Sequence, residues 1–387
     1  MPDRIYLDWN ATTPLRPEAR EAMIAAMDLV GNPSSVHAEG RKARRLMEDA
    51  RQTIAAGLGT VSRRVIFTSG GTEANVLALS PGLKAPAGAA KRLLVSAVEH
   101  ASVLAGGRFA PGAIQTIPVD AAGMVDLGRL EALLANGPPA LVSVMAANNE
   151  TGALQPVSQV ADLVRQAGAL LHVDAIQAFG KISLDIKQMG ADLVTVSAHK
   201  IGGPKGVGAL VLGPGFEDVI PLLRGGGQER GRRAGTENVI GIAGFGAAAS
   251  AALAGLATDQ IRIGALRDRL EAGLRQTPGV TVFSTEAARL PNTTLFTAPG
   301  LKAETAVIGF DLEGIAVSSG SACSSGKVQP SHVLEAMEVS AAAAQGAVRL
   351  SMGWSTAEAD VDRALQAWRK LSLTLLKGGD ETALERF

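Results

Sequence analysis

Two side chains in this sequence have the chemistry of nucleophiles, and both stand where their surroundings could sharpen it. Lys200 closes Ser197-Ala198-His199-Lys200, directly after the apolar run Val194-Thr195-Val196, and the glycine-rich Ile201-Gly202-Gly203-Pro204-Lys205-Gly206 follows. An amine at the end of a buried strand is partly desolvated, which lowers its pKa and makes it reactive toward carbonyls. Lys205, inside the loop, reads as an ordinary surface lysine. Cys323 is the only thiol in 387 residues and lies in Val317-Ser318-Ser319-Gly320-Ser321-Ala322-Cys323-Ser324-Ser325-Gly326. A free cysteine is usually a small buried hydrophobe, but small polar neighbours cannot pack a core, so a reactive thiol on a mobile loop is the better reading. The same stretch narrowly misses a P-loop: five residues separate Gly320 from Gly326-Lys327, and Val328 stands where Ser or Thr must bind magnesium.

Polar groups that could serve these nucleophiles recur at the ends of β-rich runs. Thr68-Ser69-Gly70-Gly71-Thr72-Glu73 leads straight into the apolar helical pattern of Val76, Leu77 and Leu79. Two glycines admit an anion close to the backbone, the Thr72 hydroxyl can donate, and the first amides of the helix point the same way, although a plain glycine turn with a threonine cap has the same spelling. His172-Val173-Asp174 ends another run, with Gln177 three residues on. A carboxylate there is costly unless it meets a cation or hydrogen-bond donors; a helix N-cap is the simpler alternative. Arg349, in Arg349-Leu350-Ser351-Met352-Gly353, has the planar fork that suits a carboxylate.

The elements that must position these groups show in the hydrophobic pattern. Val65-Ile66-Phe67-Thr68, Leu93-Leu94-Val95-Ser96, Leu141-Val142-Ser143-Val144, Leu171-His172-Val173-Asp174, Leu193-Val194-Thr195-Val196 and Leu210-Val211-Leu212 read as strands buried on both faces. Helical patterns alternate with them. Pro156 opens one, Val157, Val160 and Val164 share its face, and Gly168 closes it. Nearer the N-terminus, Pro17 opens a helix whose Met23, Met27 and Val30 recur at helical spacing, with Gly31 as the stop. The alternation predicts an α/β fold, a mostly parallel central sheet flanked by helices, with ligands beyond the carboxyl ends of the strands. Past Asp259 a charged amphipathic helix (Ile263, Leu266, Leu270, Leu274), shorter strands and a final helix predict a smaller α+β domain. The expected division is a large domain over 15–260, and a small one formed by 1–14 with 261–387 that carries the cysteine loop at about 317–330.

Composition narrows the partners. Thirty-seven Lys and Arg balance thirty-seven Asp and Glu, so no single-sign field draws in nucleic acid or an anionic membrane. A lone cysteine excludes an intrachain disulfide framework and a multi-thiolate zinc site, and it fits a reducing compartment. Val239 to Thr258 is long and uncharged but dominated by Ala and Gly, so it reads as a tightly packed core helix. Without an apolar secretion signal at the start, a cytoplasmic location is expected.

Taken together, the phosphate loop, the strand-end Asp and Ser197-Ala198-His199-Lys200 resemble the fold-type I enzymes that use pyridoxal 5'-phosphate, in their class V aminotransferase branch. The cysteine loop, continuing through Pro330-Ser331-His332-Val333-Leu334, resembles the catalytic loop of group I cysteine desulfurases. The likeness begins at Tyr6-Leu7-Asp8 and Ala11-Thr12-Thr13-Pro14 and spans almost the whole chain. It implies that Lys200 binds the cofactor as a Schiff base, Asp174 pairs with the pyridinium nitrogen and Gln177 meets the ring hydroxyl. Gly71, Thr72, Ser197 and His199 would hold the phosphate, and Thr236, in the basic loop 225–238, would reach the phosphate of the neighbouring subunit in a homodimer. Asn149 would line the cofactor and substrate pocket, Arg349 would take the substrate carboxylate, and His100 would stack on the ring and move protons, leaving His37, His172 and His332 structural. Glu338 stands where many members have glycine.

The implied reaction turns L-cysteine into L-alanine. Lys200 moves the α-proton, and the Cys323 thiolate takes the sulfur as a persulfide for a protein acceptor such as an iron–sulfur scaffold, of the nitrogen-fixation or the housekeeping type. Any metal contact of Cys323 would be transient, through that persulfide during cluster assembly. A selenocysteine lyase or aminotransferase on the same fold would keep Lys200 and Asp174 without needing Cys323. A non-catalytic sulfur carrier or assembly subunit would keep the shape alone.

Overall fold

The computed structural model describes residues 4–217, 219–320 and 330–376. Its frame is a sheet of seven strands, β1 (Val65–Thr68), β2 (Arg92–Ser96), β3 (Ile114–Ile117), β4 (Ala140–Met145), β5 (Leu170–Asp174), β6 (Leu193–Ser197) and β7 (Gly208–Leu212), in the order β1-β7-β6-β5-β4-β2-β3. Only β7 runs against its neighbours, antiparallel to both β6 and β1. Successive side chains point to opposite faces. Phe67, Leu94, Val142, Leu171 and Val194 enter one hydrophobic core, while Ile66, Leu93, Leu141, Leu170 and Leu193 enter a second on the other side. Burial on both faces is why these strands read as unbroken apolar runs. The exception is β3, an edge strand with Gln115 and Thr116 exposed, which carries no such run and escaped the sequence reading.

Helices cover both faces. Val157–Gln166 starts after Pro156, buries Val157, Val160 and Val164, and ends before Gly168 at φ +61°. Pro17–Met27 begins at its proline as expected but stops before Val30. Its buried residues are Ala19 and Ala26, whereas Met27 and Val30 are exposed, so the Met/Val spacing does not mark the packed face.

The largest departure from the sequence reading is the helix Val239–Leu274. What reads as a buried Ala/Gly helix followed by a separate charged one is a single rod of 36 residues, about 54 Å long at 1.5 Å per residue. By length and composition this helix could cross a membrane, yet half of its most apolar window is buried inside the fold. Its first half lies on Pro17–Met27 and Ala38–Gly57. A Cβ at Gly246 would stand 2.7 Å from the Ala50 Cα, so the close helix contact needs glycine there. The second half carries Ile263, Leu266, Leu270 and Leu274 into another core with Phe296, Phe310 and Trp368. The Trp368 ring meets Phe296 edge-on at 4.9 Å, and its N–H donates to Thr277 Oγ1 at 3.0 Å. A four-stranded antiparallel sheet of Thr281–Val282, Thr293–Thr297, Val348–Ser351 and Ser318–Ser319 forms this end of the molecule. The N-terminal strand Ile5–Tyr6 pairs with Ile315–Ala316, and Ile5 and Leu7 enter the same core. We propose that the two units divide near residue 260, within the long helix.

Candidate active site

The carboxyl ends of β4, β5 and β6, the start of helix Gly71–Ala78, the N-terminal segment and the strand Val348–Ser351 converge on one cavity of about 300 Å3. That is within the size range of small-molecule sites. Gly71, Thr72, His100, Asn149, Asp174, Gln177, Ser197, His199, Lys200 and Arg349 all line it. Cys323 lies outside the described residues. Thr236 is exposed on its loop and does not line this cavity.

Lys200 sits in the short turn after β6, and its Nζ donates to the carbonyls of Asn10 at 2.5 Å and Ala11 at 2.8 Å. Asp174 ends β5, fully enclosed. Its Oδ1 accepts from the Ile176 N–H at 3.0 Å and its Oδ2 from Asn75 Nδ2 at 2.9 Å. Burial pushes its carboxyl up, opposed by those hydrogen bonds and by His100 and Lys200. Burial likewise lowers the His199 imidazole to about 4 and pushes His100 down, the latter opposed by Asp174.

Asn75, which the sequence reading passed over, organises this end of the site. One Nδ2 hydrogen goes to Asp174 and the other to Ser102 Oγ at 2.9 Å, while its Oδ1 accepts from Thr195 Oγ1 at 2.6 Å. With Ser102 Oγ accepting from Asn75, its hydroxyl proton is directed to His100 Nδ1, 2.8 Å away, and the Ser102 backbone N–H donates to the same nitrogen at 3.1 Å. His100 Nδ1 is thus an acceptor, and Nε2 is the atom that carries an exchangeable proton. Behind Thr195 stands His172, between Thr195 Oγ1 at 3.2 Å and Ser143 Oγ at 2.8 Å. Burial drives its pKa to about 3, so it is a neutral structural link. His37 caps the helix Ala38–Gly57, and His332 meets the Glu99 carbonyl; neither lines the cavity.

Asn10 joins the two units. Its N–H donates to Ser351 Oγ at 2.9 Å and its Nδ2 to Thr293 Oγ1 at 2.8 Å and the Asn149 carbonyl at 3.1 Å. Its own carbonyl receives Gln177 Nε2 at 2.9 Å along with Lys200. Arg349, 1% exposed, donates to the Asn149 carbonyl at 3.0 Å and to Asp8 Oδ1 at 2.8 Å. Its Nε has no partner among the described residues. It is therefore a buried, cavity-lining fork and not a surface ion pair. Neither Asn10 nor Asp8 was legible as a site residue, because these partners lie 139 to 341 positions away in sequence.

The residues fit a phosphorylated pyridine aldehyde. Ser197 Oγ is buried at the end of β6 without a partner among the described residues, beside the start of helix Gly71–Ala78. A Cβ on Gly71 would lie 2.4 Å from Ile176 Cδ1, so any larger residue there would have to push that side chain aside. Asp174 is buried with a hydrogen-bond donor on each oxygen, and a pyridinium would add a cation directly against it. Among the described residues no His, Cys, Asp and Glu cluster could hold a metal ion.

The profile of the class-V aminotransferase family matches residues 5–364. A cysteine desulfurase of Bradyrhizobium diazoefficiens is 46% identical over 369 residues, covering 94% of this chain and 93% of the relative. Among solved structures, a NifS-like protein from Rickettsia africae superposes with a TM-score of 0.87 at 39% identity, over 96% of this chain and 100% of that one. A structure described as SspA in complex with cysteine superposes at 0.74 and 30% identity, over 90% and 98%.

Proposed function

The chain belongs to the class-V aminotransferase family and is a cysteine desulfurase of the kind that depends on pyridoxal phosphate, and we propose that the cavity shared by Lys200, Asp174 and Arg349 is where it acts on L-cysteine. The meeting of two strand-end groups of opposite charge with a buried arginine from the second sheet carries this reading.

When bound, pyridoxal phosphate supplies an electron sink that acidifies the bonds at the amino acid's α-carbon. Lys200 would hold its aldehyde, Asp174 its ring nitrogen, Gln177 its ring hydroxyl, and Gly71, Thr72, Ser197 and His199 its phosphate. Asn149 and Arg349 bind and orient the substrate, the Arg349 fork facing its carboxylate. Once displaced, the Lys200 amine moves the α-proton. His100 faces the reacting group with a neutral imidazole, its Nδ1 engaged by Ser102 and its Nε2 free to pass a proton. The Cys323 thiolate attacks the substrate sulfur: the carbon–sulfur bond breaks, a sulfur–sulfur bond forms, and the carbon regains a proton as L-alanine. The products balance as one alanine and one persulfide for each cysteine consumed.

We further propose a cytoplasmic homodimer that passes sulfur to an iron–sulfur scaffold protein, with Thr236 of each subunit serving the partner's phosphate site. Support comes from the exposed apolar side chains Val30, Val36 and Leu223 and from the exposure of Thr236. The test is to incubate purified protein with L-cysteine and a reductant and to measure alanine and sulfide together, for wild type and for Cys323→Ser. Equal yields that vanish in a variant still yellow with cofactor support the reading. Unchanged release without the thiol overturns the role of Cys323, and pyruvate with ammonia indicates β-elimination instead. A protein that stays colourless when offered cofactor is an assembly subunit.

A further inference from the structure

A second lysine stands beside the first with no role in the chemistry above. Lys181 follows β5 by seven residues and lines, with Lys200, a small cavity next to the main one. Its Nζ donates to Gln177 Oε1 at 2.7 Å and to Asn10 Oδ1 at 3.1 Å, and it has no carboxylate partner among the described residues. The charged groups that face it are cations: Lys200, Arg349 and, when protonated, His199. Arg16 and Asp259 lie across the small cavity. Burial, Lys200 and Arg349 together hold its amine well below the ordinary lysine range. A neutral amine has two N–H groups, as many as the acceptors it meets.

The backbone carbonyls of Asn10 and Asn149 can only accept, so the amide nitrogens of Gln177 and Asn10 face them, and both amide oxygens are left to accept from Lys181. Lys181 therefore holds, from the oxygen side, two orientations that an isolated Gln or Asn leaves open. With Oε1 turned to Lys181, the Gln177 amide group turns its nitrogen the other way, one N–H to the Asn10 carbonyl and the second left for the main cavity. With Oδ1 turned to Lys181 and shared with Asn292 at 3.0 Å, Asn10 presents its own nitrogen to Asn149 and Thr293.

We propose that Lys181 is a positioning residue that locks the side-chain amide of Gln177 so that the cofactor's ring hydroxyl meets an N–H donor and not a carbonyl oxygen. The inference rests on the function proposed above and names a residue that, with the Asn10 carbonyl, fixes the polarity of that contact. A donor at the ring oxygen stabilises its anionic form and weakens that oxygen's hold on the neighbouring imine proton. Reversing the amide would strengthen that hold.

The experiment is a pH titration of cofactor absorbance in purified holoenzyme, without substrate. Lys181→Met removes the lock, and the midpoint of the colour change should move upward by about one pH unit, a tenfold change in proton affinity. Gln177→Ala should shift it similarly, and Lys181→Met should add nothing on that background. Lys181→Arg, which keeps donors for both amide oxygens, should hold the wild-type midpoint. An unmoved midpoint in Lys181→Met, additive shifts in the double variant, or a displaced midpoint in Lys181→Arg would each overturn the proposal. The arginine variant decides even if the methionine variant does not fold. Failure of the wild type to take up cofactor would instead refute the function itself.

Discussion

Replacing Glu150 with glutamine should change the pH dependence of stability in a defined window. Glu150 is 4% exposed, and its Oε2 accepts from Ser331 Oγ at 2.5 Å. Burial raises its pKa from the ordinary 4.5 to about 7, with the Ser331 hydrogen bond and Arg349 opposing. Below pH 4.5 the carboxyl is protonated in both folded and unfolded chains, and its contribution to stability is fully present. As pH rises toward 7 the unfolded chain ionises first while the folded one keeps its proton, so stability is lost through that interval and levels off above it. At about 1.36 kcal/mol per unit the loss approaches roughly 3 kcal/mol. Glu150→Gln keeps an acceptor for Ser331 and has no proton to lose. Urea unfolding of both proteins at pH 4 to 8 isolates the effect, since the other buried groups titrate alike in each. The variant's advantage should grow between pH 4.5 and 7, reaching about 1 M in midpoint if m is near 3 kcal/mol/M. A difference that stays flat across this range would refute the reasoning.

Asn75→Ala should release both Asp174 and His100: loss of hydrogen bonds to a charged group, about 1.5–3 kcal/mol, predicts cofactor retention weaker by roughly ten- to hundredfold, measured by dialysis and absorbance. Arg51→Met leaves Glu229 buried without its bidentate partner at 2.6 and 2.8 Å and should lower stability by about 3–5 kcal/mol, visible in the thermal unfolding midpoint. Glu338 holds a left-handed backbone at φ +58°, so Glu338→Gly should raise the unfolding midpoint, by about 1 kcal/mol in stability.

The parts of this molecule that could be read from sequence are those in which neighbours in the chain share one environment. Strands β1, β2 and β4 to β7 are buried on both sides, and their composition announces it. Lys200 and Asp174 could be singled out because each ends such a strand. The edge strand β3 borrows its order from β2 alone and has no comparable signature. Asn75 sits in the short helix Gly71–Ala78 with nothing local to mark it, and its importance comes from Asp174, Ser102 and Thr195, which three other segments deliver. Asn10 and Lys181 are of the same kind. Glu338 was noticed as a departure from the family pattern, and its positive φ supplies the physical reason that glycine is favoured there.

The pairing of Asp8 with Arg349 and of Asn10 with Ser351 bears on how the protein is made. A ribosome delivers Asp8 and Asn10 341 residues ahead of their partners Arg349 and Ser351, so the nascent chain carries half a pocket through that whole stretch of synthesis. A chain without that late strand would lack the Arg349 wall of the cavity that Lys200 lines.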